Sequence, residues 1–327
     1  MRRLKAAVVA GLAATTAALP AQVEASSTSQ ALQRLQASEA RLFDIGWRLV
    51  TGNAAFCGDA APAAGLLLHD ADSYADPDAV IGALGLNGPI GVQAVAGGSP
   101  AEAAGLAPNM TLVAVADQDL ANWPHESGAK WQRMAQINDH IERQLAERGS
   151  VTLRARRTGE VEEREVVLPG ALACPTRFEL LPGSDRVVAD GTRVLVGDRF
   201  SGLSYSEELL AAAVAHELAH NFLRHRERLD AAGRSQGNIR ETEREADRLM
   251  PWLLANAGYR PAAAVEFMEY WGPRSRSGAL GGILRARSHD GWDERARRIA
   301  AELPLVERAI ADSGTADWRT RFAPPGR

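Results

Sequence analysis

Apolar residues fall along this chain in three patterns, and each predicts a different kind of element. Leu32, Leu35, Leu42, Phe43, Ile45 and Leu49 recur at helical spacing across residues 28–56, which predicts an amphipathic helix packed on a core. Met134, Ile137, Ile141 and Leu145 do the same across 131–148. Residues 151–156 and 163–168 instead alternate apolar and polar on either side of Thr158-Gly159, the period-two pattern of a hairpin. Residues 111–116 form a continuous apolar run of strand length. The third pattern lies at 206–220, SEELLAAAVAHELAH, where apolar residues cover nearly every face and predict a helix running through a core. Ser206 stands where an N-cap belongs, with Glu207 and Glu208 in the first turn.

Turn residues divide these elements. Residues 85–95 read as a turn and short strand, 97–106 as a loop, a one-turn helix and a glycine stop, and 187–197 as strand-turn-strand. The expected fold class is α+β, a mainly helical domain with a small edge sheet plus a β-rich domain. The expected boundaries are a signal peptide over 1–25, an N-terminal helix and linker over 26–75, the β-rich domain over 76–172, the helical domain over 173–312, and a flexible tail over 313–327 ending in Pro-Pro-Gly-Arg.

Arg2, Arg3 and Lys5 precede an apolar run at 6–19 and then the small residues around Ala21 and Ala25. That is the pattern of a secretory leader, with cleavage before Ser26 and, as the alternative, after Ala21. The run is short for a membrane span, and no other charge-free apolar stretch reaches spanning length. The expected location is the periplasm, with a retained N-terminal anchor as the alternative. An even cysteine count in an exported chain favours a Cys57–Cys174 disulfide, tying the start of the middle region to its end. With 327 residues and 46% hydrophobic content the chain can bury two cores. Its formal charge of −4 becomes more negative once Arg2, Arg3, Lys5 and Glu24 are removed, which argues against a nucleic-acid partner.

The chemistry concentrates in His216-Glu-Leu-Ala-His220. Residues four apart share one helix face, so two imidazoles can hold one metal ion while Glu217 reaches a water beside it, the arrangement of a zinc hydrolase. A catalytic zinc needs a third protein ligand. Downstream, Glu243 and Asp247 also lie four apart, which suits a carboxylate ligand with an aspartate one turn on that hydrogen-bonds a ligand histidine. Glu241 and Glu245 fall on other faces. His225, five residues beyond His220, would point about 140° further round a continuous helix and is not expected as a ligand. His69, His125 and His140 are read as single surface or hydrogen-bonded side chains.

HELAH followed by Glu-Arg-Glu-Ala-Asp247 resembles the gluzincin zinc peptidases of the HtpX and CAAX prenyl protease kind, whose pattern is HExxH and then ExxxD. The resemblance extends to Ala257-Gly-Tyr-Arg-Pro261 and to Ser288-His289-Asp290 with Glu294-Arg295, where Asp290 replaces the usual proline. It implies zinc, one per chain, on His216, His220 and Glu243, with Glu217 as general base and Asp247 behind a ligand. It implies for His289 either stabilisation of the developing oxyanion or a place on zinc in a latent state. Thr192, Arg193, Val194, Leu195 and Val196 resemble the family's strand beside the cleft, on which substrate would add. The middle region resembles a PDZ domain of the bacterial protease-associated type, with Asn109-Met110 in place of the usual Gly-Asp. That likeness implies a carboxylate-binding loop at 83–86, with Leu84, Gly85 and Leu86 cradling a peptide C-terminus. The function so implied is a zinc endopeptidase acting on exported proteins in quality control. The alternatives are a zinc-containing chaperone-like or peptide-binding protein, against which the intact Glu217 speaks, and a structural zinc domain closed by four protein ligands.

Overall fold

The computed structural model describes residues 19–123, 130–275 and 290–322. In chain order the elements are α1 (Leu19–Gly52), β1 (Ala61–Ala63), β2 (Leu66–Asp70), α2 (Pro77–Leu84), β3 (Ile90–Val95), α3 (Pro100–Ala103), β4 (Thr111–Val115), β5 (Gln118–Asp119), α4 (Trp131–Arg148), β6 (Ser150–Arg156), β7 (Glu163–Pro169), β8 (Ala171–Ala173), β9 (Arg177–Leu181), β10 (Val187–Ala189), β11 (Arg193–Gly197), α5 (Glu207–Phe222), α6 (His225–Ala232), α7 (Gln236–Asn256), α8 (Ala263–Ser275), α9 (Trp292–Ala300) and α10 (Leu303–Ser313). Helices and strands both contribute, in two segregated units. The expected leader lies largely outside the described residues, as do His125 and the last five residues. No helix among the described residues is long and apolar enough to cross a membrane.

The strands make three sheets. An antiparallel sheet runs β2-β3-β4-β6-β7, with β5 added on β4. The predicted hairpin is its β6–β7 pair, and α4 closes it by burying Ile137, Ile141 and Leu145 against Leu112, Val151 and Leu153. A buried ion pair between Arg133 of α4 and Asp70 of β2 ties helix to sheet. This unit begins earlier than expected, because β2 is one of its strands and lies before residue 76. The short β1–β8 ladder and the Cys57–Cys174 disulfide, with Cα atoms 5.8 Å apart, close the neck where the chain leaves and rejoins the helical unit.

The helical unit forms around α5. Leu210, Val214 and Leu218 are fully buried with Leu249, Leu253 and Leu254 of α7 and Met268 of α8. Ser206 does precede α5, but its hydroxyl makes no capping bond; Glu207 instead pairs with Arg48 and Tyr259. α1 serves both units. Its C-terminal half buries Leu42, Ile45 and Leu49 in the helical core, each worth roughly 1.5–3 kcal/mol. Its preceding turns lie on the sheet unit, where Leu32 packs with Val80, Leu84 and Leu86, and Gln36 donates to the Gln93 carbonyl at 3.1 Å.

The end of the chain differs from expectation. Trp318 and Phe322 are buried in the helical core, and Asn53 accepts from Trp318 Nε1 at 3.1 Å and from Asn256 Nδ2 at 2.9 Å. Asn256 in turn pairs with the backbone of Ala316 in both directions. Residues 313–322 are therefore an anchored part of the core, not a loose tail.

Candidate metal centre

α5 and α7 pack side by side through small residues. Ala212, Ala215 and Ala219 of α5 and Ala246 of α7 are fully buried, which lets the two backbones approach. α5 presents His216, Glu217 and His220, and α7 presents Glu243 and Asp247. His216 Nε2 and His220 Nε2 lie 3.4 Å apart, and the Glu243 carboxylate reaches them at 3.3 and 3.6 Å. One ligand atom from each of these three residues falls within 4.8 Å of the others. Two imidazoles and a carboxylate converging on one point are a donor set that suits zinc and leaves room for a fourth ligand.

Burial and the neighbouring carboxylates pull the two imidazoles in opposite directions. Burial opposes a charge on His216, but the carboxylates of Asp247 and Glu243 beside its two nitrogens outweigh it and push it up to about 10. Burial drives His220 down to about 3, with Glu243 only partly offsetting it. Burial also pushes Glu217 up to about 7, and its carboxylate accepts the backbone N–H of Ala189.

Asp247 lies where a supporting aspartate was expected, its Oδ1 3.2 Å from His216 Nδ1. Arg295 of α9 grips the same carboxylate with two bonds of 2.8 and 2.6 Å, and both residues are buried. Burial raises the cost of a charge on Asp247, but Arg295 and His216 hold its carboxyl below the usual range. His289 lies outside the described residues. Asp290 after it is held by Arg244 and Arg298.

Two expected sites are corrected. Thr192 lies in the turn before β11, and Arg193, Val194, Leu195 and Val196 form β11, which is the middle strand of its sheet, paired to β10 on one side and β9 on the other. A strand paired on both sides cannot receive substrate. The open edge beside α5 is β10. Asp190 and Gly197 N–H bond to the Arg193 and Arg186 carbonyls, so by alternation Val187 and Ala189 turn their backbone groups outward. Nor do Leu84, Gly85 and Leu86 form a cradle. They are the end of α2, with Gly85 in the left-handed cap conformation at φ 65°. The N–H groups of Gly85 and Leu86 are spent on the Gly82 and Ile81 carbonyls, and both leucines are buried.

Three supports were not read from the sequence. Asn221 pins the β10–β11 turn to α5, accepting from Gly191 N–H at 2.8 Å and donating to the Arg193 carbonyl at 3.1 Å. Arg295 was legible only as part of a motif, without a role. His225 was excluded by assuming an unbroken helix. The helix instead breaks at Arg224, whose φ of 51° is left-handed, and His225 swings back beneath His220. No glycine marks that break. Compared with known proteins, the chain matches no family model, no curated protein and no solved structure.

Proposed function

We propose that this chain is an exported zinc metallopeptidase of the gluzincin type, with a PDZ-like unit inserted between α1 and the catalytic helices. The observation that carries the reading is the convergence of His216, His220 and Glu243, with Glu217 beside them and the open strand β10 alongside. Zinc, when bound, supplies a Lewis acid that polarises a carbonyl and acidifies water. The protein's own residues do the rest. Substrate backbone adds in extended form along β10 at Val187 and at the Ala189 carbonyl, beside Glu217, whose carboxylate holds the Ala189 N–H. Glu217 takes the proton of the attacking water and gives it to the leaving amine. Its burial keeps its affinity for a proton high enough to serve both steps. Asn221 keeps the strand in register with the helix that carries the base. No described residue of the sheet unit belongs to the metal group, and that unit is assigned to substrate delivery or regulation. The disulfide agrees with an oxidising compartment such as the periplasm.

The test is metal content and cleavage of an unfolded protein substrate by wild type and Glu217→Gln. Wild type should carry one zinc per chain and cleave, and the variant should keep zinc and lose about 100-fold or more in rate. A zinc-loaded wild type that cleaves nothing, or cleavage that survives Glu217→Gln, would overturn the reading.

A further inference from the structure

His225 is 1% exposed, on the first turn of α6, and makes two polar contacts. Its Nδ1 lies 2.9 Å from His220 Nδ1, and its Nε2 lies 3.1 Å from Glu245 Oε2. The same Glu245 oxygen accepts from an Arg228 guanidinium nitrogen at 2.5 Å. A row of side chains from α5, α6 and α7 thus runs His220, His225, Glu245, Arg228, starting on the side of His220 that faces away from Glu243.

We infer that His225 and Glu245 are positioning residues that hold His220 in its metal-binding tautomer, an inference that rests on the metal reading above. For a neutral His225 the proton count leads to it. A carboxylate held by Arg228 has no proton to give, so the contact between His225 Nε2 and Glu245 is an N–H donated by the imidazole. A neutral His225 then has a lone pair on Nδ1. Two Nδ1 atoms 2.9 Å apart share one proton, and it must belong to His220. His220 therefore carries its proton on Nδ1 and directs the lone pair of Nε2 at His216 and Glu243. In the reverse arrangement His220 would hold its proton on Nε2, where it blocks a ligand, and His225 would turn a lone pair on the Glu245 carboxylate. Glu245 selects between the two, acting through His225. The left-handed turn at Arg224 brings His225 under its neighbour.

The experiment compares the full-length mature protein with His225→Phe, His225→Gln and Glu245→Gln. Zinc affinity is measured by chelator competition, and histidine nitrogen shifts are measured without metal. His225→Phe keeps an aromatic of similar bulk but no acceptor, and should weaken zinc by about 10- to 100-fold. His225→Gln offers an amide oxygen to His220 Nδ1–H and should recover most of that loss. In metal-free wild type, His220 should carry its proton on Nδ1 and His225 on Nε2. Glu245→Gln should shift His220 toward a mixture of tautomers. A folded His225→Phe that binds zinc within twofold of wild type overturns the inference, as does a wild-type His220 protonated on Nε2. If His225→Phe does not fold, the Gln variants and the nitrogen shifts decide. Wild type that binds no zinc overturns the metal reading, and the shifts still judge the tautomer. Wild type that binds zinc but cleaves nothing overturns only the peptidase reading.

Discussion

His216 and His220 stand one turn apart on one helix, yet the protein supports them by different means. Behind His216 is a carboxylate in direct contact, Asp247, clamped by Arg295 with all three buried. Behind His220 is a second imidazole, and the carboxylate and guanidinium come only after it, at the partly exposed Glu245 and Arg228. A third buried imidazole, His69 in the sheet unit, has neither nitrogen hydrogen-bonded. The difference shows what a carboxylate does by its distance. In contact it adds charge to the ligand and must itself be neutralised by a buried arginine. One residue removed, it fixes a proton's position with little charge at the site. Where no carboxylate bonds it, as at His69, burial prevails and the imidazole is held neutral.

The largest test of this comparison is Arg295→Met. Removing one partner of a buried ion pair leaves Asp247 uncompensated, and the expected cost is about 3–5 kcal/mol in urea unfolding. A loss below about 1 kcal/mol would show that Asp247 does not depend on Arg295.

The next concerns His69, which burial lowers to about 4, with Asp70 only partly opposing. The unfolded chain takes up the proton near the ordinary value, 6.5, and the folded chain does not until about 4. Stability is therefore full above pH 6.5 and falls as pH drops toward 4, by at most about 3.5 kcal/mol at about 1.4 kcal/mol per unit. His69→Leu should flatten that part of the profile. An unchanged acid slope would mean that another group carries it.

Third, Asp247→Asn and His225→Phe should both weaken zinc by about 10- to 100-fold, with Asp247→Asn at the upper end because it removes charge as well as orientation. The reverse order in a chelator competition would make the indirect support the stronger one. The smallest effect belongs to Arg228→Met. Its guanidinium is about a third exposed, and stability should change by no more than about 1 kcal/mol. A drop like that of Arg295→Met would erase the distinction between the two supports.

The sequence was most legible where one residue's neighbours along the chain are also its neighbours in space. HELAH on an apolar helix, the periodic α4 and the Glu243–Asp247 pair depend on spacing within one element, and the β6–β7 hairpin on two elements joined by a short turn. What spacing cannot show is how an element ends or what lies beside it. His225 was lost to a left-handed turn at an arginine. The supposed cradle at Leu84–Leu86 was a helix cap that uses the same glycine a loop would use. The strand at 193–196 looked like an edge because its second partner, β9, pairs with it in parallel from the other side of β10 in the chain. The buried end of the chain was hidden because its two anchors, Trp318 and Phe322, sit among small and charged residues with no period.

The neck of the sheet unit has a consequence for how the chain can be cut and rejoined. Cys57 and Cys174 lie 117 positions apart in sequence but only 5.8 Å apart in space, and β1 and β8 run antiparallel just beyond them. The sheet unit is thus an insertion at a single point, and a turn of a few residues could carry the chain from 57 to 174 with no change of direction in the helical core. Such a shortened chain would keep Leu42, Ile45 and Leu49 covered but would expose Leu32, Gln36 and Glu39, the stretch of α1 that the sheet now shields. A stand-alone helical unit would thus be joined easily but would leave uncovered those turns of α1, and Arg177 without its partners Asp139 and Glu142 of α4.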